Sequence, residues 1–311
     1  MLKGKKILIT GGAGFIGQYL SEYLIRKGAK VKIVDLKKRP DGINRKIDYI
    51  RGDIRNIDLA GKAAKDIDIC FHLAAVYGGT RFINDNQADI LNYNLQTFSS
   101  IFEALRNTKV KRIIFPSSSL AYNGNLKRAL TEEDMDKDVP TGNPYGFMKL
   151  VGEYYCRFYW NQYKLPYTIV RMFNVYGIGD MHEHVIPIFV DKVLKNQPVP
   201  IMGDGTETRV FTNIKDIVRG LALLADSEKA KNQEFNLSGE KEISIINLAG
   251  LIWDLSGKRG DVKINFIPLP ETAARTRRVS CKKIAKLGWK EKSSFNQGLK
   301  EFIAWKKTLK K

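Results

Sequence analysis

The sequence predicts an α/β chain, a doubly wound parallel sheet with a smaller α/β lobe on its C-terminal side. Three observations predict it. Short aliphatic and β-branched runs alternate with stretches of helical periodicity through the first half of the 311 residues. A glycine trio sits between the first such run and the first helical pattern. Small and hydroxyl-bearing residues then end successive runs, at the edge where open parallel sheets bind ligands.

The elements follow in order. Residues 7–10, Ile-Leu-Ile-Thr, read as a buried parallel strand. Gly11, Gly14 and Gly17 come next, and residues 18–27 carry a helical pattern with Tyr19, Leu20, Tyr23 and Leu24 apolar. Glycines there permit a sharp turn and a close approach of a pyrophosphate. The helix N-terminus offers free N–H groups and a partial positive charge to the phosphates. A second strand, 30–34, ends at Asp35, about twenty residues beyond the glycines. A carboxylate there accepts both hydroxyls of an adenosine ribose and repels a 2′-phosphate, so the expected cofactor is NAD. Lys37, Lys38 and Arg39 are read as a solvated loop.

Residues 47–50 and 68–73 are the third and fourth strands, and the latter runs into Ala74 and Ala75, small enough for a cofactor to lie against the backbone. His72, inside that strand, is expected to be a hydrogen-bonded core group rather than a catalyst. Residues 83–107 read as one long helix carrying Asn94 and Thr97, and 111–115 as a fifth strand ending at Pro116-Ser117-Ser118-Ser119. The polar loop 123–144 is expected to face solvent, and 145–164 to form a helix. Tyr145 and Lys149, four apart, share one face of it. An ammonium beside a phenol favours the phenolate. Tyr145 is therefore a candidate general base, with a serine hydroxyl steadying the substrate oxygen.

Beyond residue 172 the pattern gives a helix at 184–195, a strand at 206–212 returning to the main domain, and helices at 245–255 and 295–305. The expected division is a dinucleotide-binding domain at 1–171, rejoined by segments from about 206–240, and a substrate-binding lobe at 172–311.

Composition narrows the class. A hydrophobic content of 43% supports a compact core. No apolar run approaches the roughly 20 residues that cross a bilayer, and the first residues show no signal-peptide pattern. Cys70, Cys156 and Cys281 are few and widely spaced, which suggests reduced thiols in a cytoplasmic protein, neither a disulfide frame nor a metal site. The net charge of +19 is spread along the chain, with mild concentrations at 275–292 and at the C-terminus. No zinc-ligand spacing, basic-region heptads or RNA-binding aromatic signature accompanies it. It is read as solubility and attraction of an anionic small substrate, not as a nucleic-acid surface.

A family resemblance gathers these features. Its residues are Thr10-Gly11-Gly12-Ala13-Gly14-Phe15-Ile16-Gly17, Gly52-Asp53, His72-Leu73-Ala74-Ala75, Ser117-Ser118-Ser119 and Tyr145-x-x-x-Lys149. Arg171-x-x-Asn174-x-Tyr176-Gly177, Gly203-Asp204-Gly205-x-x-x-Arg209, Asp216 and Leu287-Gly288-Trp289 continue it. With them the chain resembles, over nearly its whole length, the extended short-chain dehydrogenase/reductases that act on nucleotide-diphosphate sugars, the group of UDP-glucose 4-epimerase.

The resemblance implies a Rossmann fold, bound NAD and no metal. It implies Ser118, Tyr145 and Lys149 as catalytic, Ser118 because it lies four before Tyr122. For the cofactor it implies Gly11, Gly14, Phe15, Ile16, Gly17, Asp35, Asp53, Ile54, Leu73, Ala74, Ala75 and Asn94, with Tyr145 and Lys149. For the substrate it implies Gly79, Arg81, Ser118, Ser119, Asn174, His184, Val185, Arg209 and Arg275. An amide at Asn174 and a guanidinium at Arg209 suit a diphosphate. A homodimer is implied through a four-helix bundle of 83–107 and 145–164, whose apolar side chains exceed what one face can bury.

Departures shape the expected activity. Ser119 and Leu120 stand where the related 4,6-dehydratases place an acid pair, and Leu120 excludes the glutamate of the UDP-glucuronate decarboxylases. Water elimination and decarboxylation are therefore not expected. Tyr77-Gly78-Gly79 looks like the glycine pair of GDP-mannose 3,5-epimerase, whose cysteine acid/base position is Leu120 here. His184 stands where 4-epimerases often have an asparagine, and Val279 replaces the aspartate usual ahead of Leu287-Gly288-Trp289. The activity expected is C4 epimerisation through a transient 4-keto sugar. A keto-sugar reductase, a C4 oxidase and a 3,5-epimerase relative stay open.

Overall fold

The computed structural model describes residues 2–122, 129–134, 143–268 and 278–309. The strand β1 (Lys6–Thr10), the glycine turn and α1 (Phe15–Arg26) lead to β2 (Lys30–Asp35) and β3 (Asp48–Arg51). Then come α2 (Ile57–Ala64), β4 (Ile69–His72), α3 (Thr80–Asp85), α4 (Gln87–Arg106) and β5 (Arg112–Ser118). The helix α5 (Pro144–Tyr163) precedes β6 (Tyr167–Met172) and the short β7 (Val175–Tyr176). The rest of the chain supplies α6 (Val185–Leu194), β8 (Val199–Met202), β9 (Thr208–Val210), β10 (Thr212–Asn213), α7 (Ile214–Asp226) and β11 (Gln233–Leu237). It closes with β12 (Glu242–Ser244), α8 (Ile245–Leu255), β13 (Ile264–Ile267), α9 (Lys282–Ala285) and α10 (Phe295–Thr308).

Seven strands form one sheet in the order β3-β2-β1-β4-β5-β6-β11, every pair parallel. Parallel pairing needs a crossover between strands, and the alternating helices supply it on both faces. Leu20 and Leu24 of α1 pack with Ile217, Leu221 and Leu224 of α7 on one face. Phe98, Ile101 and Phe102 of α4 pack with Met148 and Cys156 of α5 on the other, against Leu8, Cys70 and Phe115 of the sheet. The chain order reverses between β1 and β4, the place where such sheets open a crevice.

The smaller lobe has its own core, in which Phe189, Val190, Leu248, Ile252, Leu299 and Phe302 are buried together. Two short pairs, β8 with β13 (parallel) and β9 with β12 (antiparallel), stiffen it.

Two expectations change. The stretch 83–107 is two helices, because Asn86 leaves the helical region (φ −127°, ψ 38°), with its backbone N–H and its Nδ2 both donating to the Phe82 carbonyl, at 3.1 and 2.9 Å. An asparagine side chain that bonds a nearby backbone carbonyl favours such a departure from helical geometry. The strand expected at 206–212 does not return to the main sheet: β9 pairs within the lobe and β10 pairs with β7. The return begins at Ile214 with α7 and ends with β11 at the sheet edge. His72 is the core group expected, 1% exposed, with Thr10 Oγ1 2.8 Å from its Nδ1, and burial pushes it down to about 3. All three cysteines are free and buried. No described helix is long and apolar enough to cross a membrane.

Candidate active site

A cavity of about 880 Å³ opens beyond the carboxyl ends of β1, β2, β4 and β5 and runs under the smaller lobe. The glycine turn forms its floor. Gly11 has φ +69°, and a Cβ there would meet the Ala74 amide nitrogen at 2.7 Å, so the first turn and the end of β4 touch only because Gly11 lacks a side chain. Gly14 caps α1 without a side-chain hydrogen bond, and no acidic residue lies in the first turn. The free N–H groups of this 12-residue helix therefore face the cavity uncompensated, which suits a phosphate. Asp35 accepts from the Ala13 amide through Oδ2 (2.9 Å) and from the Lys37 amide through Oδ1 (2.9 Å), which holds its carboxylate at the rim of the turn. These residues fit a dinucleotide.

The far end is built by α5 and the serine run. Asn143 caps α5 by accepting from the Gly146 amide at 2.9 Å, and Pro144 stands in the first turn. A Cβ on Gly146 would fall 2.1 Å from the Leu120 carbonyl oxygen. That contact lets the helix start directly over the turn at Ser119, so Tyr145, Ser118 and Ser119 line the same wall. Ser118 Oγ accepts from the Leu120 amide at 3.1 Å, leaving its own proton to donate. Lys149 Nζ lies 5.7 Å from the Tyr145 ring centroid and donates to the Pro116 carbonyl at 2.7 Å.

Burial decides the protonation here. It pushes the Tyr145 phenol well above its ordinary range and brings Lys149 down to about 8, with the Glu153 carboxylate opposing the second shift. In the protein alone Lys149 is held by a carbonyl and Tyr145 stays protonated. The acidic phenol expected from the Tyr-x-x-x-Lys spacing does not arise from these two residues by themselves.

Gly11, Gly14, Phe15, Ile16, Gly17, Asp35, Ile54, Leu73, Ala74 and Ala75 all line the cavity, as do Gly79, Asn174, His184, Val185 and Arg209. Asn174 Nδ2 donates to the Val210 carbonyl at 2.9 Å, which ties β7 to the lobe. Two expected cofactor residues lie outside the lining. Asp53 is held by Arg55, whose Nε and Nη2 approach it at 2.9 and 2.6 Å. Asn94 is buried and exchanges hydrogen bonds with the Val76 backbone at 3.0 Å in both directions, bracing the loop after β4 from behind. The Arg81 side chain and Arg275 lie outside the described residues.

The sequence reading passed over one wall. Tyr77, Asp180 and His182 join His184 on the side facing Tyr145. The Tyr77 ring lies 5.8 Å from Tyr145, 4.9 Å from His182 and 6.0 Å from His184, centroid to centroid. Asp180 is fully buried; against the opposing effect of burial, hydrogen bonding by His182 and the nearby His184 imidazole, 3.6 Å away, hold its carboxyl below the usual range. The signal was present as Asp180-x-His182-x-His184, holding two of the chain's three histidines.

A glycine turn, an acidic ribose position and a Tyr-Lys helix on one parallel-sheet crevice define a nicotinamide-dependent enzyme of the short-chain dehydrogenase type. Comparison with known proteins agrees. The family model described as NAD dependent epimerase/dehydratase family matches residues 7–238, and the chain belongs to that family and takes NAD as its cofactor. It is 33% identical to a putative UDP-glucose 4-epimerase of Methanocaldococcus jannaschii, over 97% of this chain and 98% of that one. It is 30% identical to a dTDP-4-dehydro-6-deoxy-D-allose reductase of a Streptomyces species, over 97% and 96%. The structure of a UDP-glucuronic acid 4-epimerase from Bacillus cereus, with UDP-glucuronic acid and NAD, superposes with a TM-score of 0.89 at 28% identity, covering 98% of this chain and 99% of the other.

Proposed function

We propose that the protein is a nucleotide-diphosphate-sugar 4-epimerase. The observation that carries this reading is the single cavity joining the glycine turn to Ser118 and Tyr145, with Leu120 where a dehydratase acid would have to stand. Bound in this cavity, NAD would supply a positive charge and a reversible hydride acceptor for C4, so the reaction would not consume it. Tyr145 takes the proton of the sugar 4-hydroxyl, and Ser118 donates a hydrogen bond to that oxygen. Lys149 anchors to the Pro116 carbonyl and keeps a cation beside the phenol. The 4-keto sugar turns over in the cavity, and Tyr145 gives the proton back. Asn174 and Arg209 serve the diphosphate.

The experiment is incubation of the protein with a panel of UDP- and dTDP-sugars and catalytic NAD, followed by NMR of the sugar. Interconversion of the C4 epimers without net change at the nicotinamide absorbance supports the reading. A stoichiometric absorbance change overturns it and favours a keto-sugar reductase, the activity named for the Streptomyces relative.

The same reading takes the chain as a homodimer. Phe147, Tyr154 and Phe158 form an exposed stripe on α5, with Phe158 61% exposed. Light scattering should give twice the chain mass, and Phe158→Glu should halve it; a monomer in both removes the dimer.

A further inference from the structure

We propose that Asp180, His182 and His184 form a binding site for one divalent first-row transition ion, Zn²⁺ foremost, opening onto the active-site cavity. The three side chains present their ligand atoms within 4.8 Å of one another. His182 Nδ1 lies 2.9 Å from Asp180 Oδ1, and His184 Nδ1 lies 3.6 Å from Asp180 Oδ2. Ligands about 2.0–2.2 Å from a common ion in octahedral or tetrahedral array stand roughly 2.8–3.6 Å apart, and both pairs fall within that range. The widest separation closes by rotation of either imidazole, both of which are about a third exposed on the cavity side.

The carboxylate carries the second observation. Asp180 is fully buried, yet no donor stands within hydrogen-bond distance of its Oδ2, the His184 Nδ1 lying 3.6 Å away. A buried acceptor left without a donor is costly and calls for an ion or other partner. The chain has 52 lysines and arginines, but the side chains facing this carboxylate are imidazoles. Oxygen-only sites suit Mg²⁺ and Ca²⁺; two imidazoles and one carboxylate suit Zn²⁺ and its neighbours.

The surroundings already provide what a metal site needs. The His182 amide donates to Asp180 Oδ1 at 3.1 Å, and the Tyr77 hydroxyl packs on the His182 ring, 3.2 Å from Nε2 and 3.4 Å from Nδ1. The loop is fixed beneath: the Asp180 amide donates to the Gly177 carbonyl at 3.0 Å, and the Tyr19 hydroxyl donates to the Ile178 carbonyl at 3.0 Å. Three protein ligands leave positions facing the cavity for water or a substrate oxygen.

The inference does not depend on the epimerase reading, and neither does its test. Untagged protein is stripped with a chelator, dialysed, and titrated with Co²⁺ by visible absorption and with Zn²⁺ by calorimetry, without nucleotide or NAD. One ion per chain is expected, with a dissociation constant at or below about 1 µM. His182→Asn and His184→Asn should each weaken it about 100-fold. Asp180 is buried, so the histidine variants, checked by circular dichroism, decide the outcome. No saturable one-to-one binding, or binding unchanged in both histidine variants, overturns the site.

Discussion

Two ends of one face of α5 handle charge in opposite ways. Tyr145, Lys149 and Glu153 succeed each other at four-residue spacing. Tyr145 and Lys149 line the cavity, and the Pro116 carbonyl is the hydrogen-bond partner of the ammonium among the described residues. One turn further, Glu153 and Arg171 are both fully buried and joined twice, Nη2 to Oε2 at 2.7 Å and Nε to Oε1 at 2.9 Å. Ser117 donates to the same carboxylate at 2.6 Å, and the Tyr122 hydroxyl accepts from Arg171 at 3.0 Å while donating to Asn236 at 2.7 Å. The inner pair has its charge matched and its donors placed. The outer pair faces a cavity that a cofactor and substrate must complete. The difference teaches that position along α5, not residue type, separates the chemistry from its scaffold.

The comparison can be broken most severely at its outer end. Tyr145→Phe should lower turnover by about 10²–10⁴-fold, with the melting midpoint unmoved, because the hydroxyl faces the cavity. Steady-state kinetics beside calorimetry measure both, and retained turnover sinks the assignment of Tyr145. At the inner end the pattern should invert. Glu153→Ala strands a buried guanidinium and should cost about 3–5 kcal/mol of stability, read as a shifted urea midpoint.

Lys149 joins the two ends and should show a pH signature. Its folded pKa of about 8 lies below the ordinary value of 10.5, so the fold disfavours the protonated form. Below about pH 8 the full penalty is present. As pH rises from there towards 10.5 the unfolded chain holds the extra proton and the penalty fades, so stability rises. The contribution should reach up to about 3 kcal/mol and be absent in Lys149→Met, which unfolding curves at pH 7.5 and 9.5 compare directly. The smallest effect is expected at Tyr122→Phe. Loss of its bonds to Asn236 and Arg171 should cost about 1–2 kcal/mol and leave the KM of the folded enzyme unchanged. A raised KM would instead tie the scaffold to the site.

Legibility in the sequence followed the range of the interactions. The glycine turn, Asp35, Ala74-Ala75, the serine run and the Tyr-Lys spacing are local patterns, and the structure brings all of them to one cavity. Asn94 and Asp53 carry the same chemical types, but each finds a nearer partner, the Val76 backbone for one and Arg55 for the other. Periodicity did not reveal the break at Asn86, where one residue turns out of the helical region while its side chain bonds Phe82. Nor could it tell whether the strand near residue 208 pairs in the lobe or in the main sheet, since either register buries Val210.

By itself the sequence determined the doubly wound sheet, the dinucleotide turn and the helix that presents Tyr145, because strand period, helix period and glycine spacing act within a few residues. Only the tertiary structure decided that Arg171 is a structural ion pair, that burial keeps the Tyr145 phenol protonated in the protein alone, and that Tyr77 meets His182 across a hundred residues. Desolvation and pairing depend on which distant segments close over a group, and no local pattern carries that.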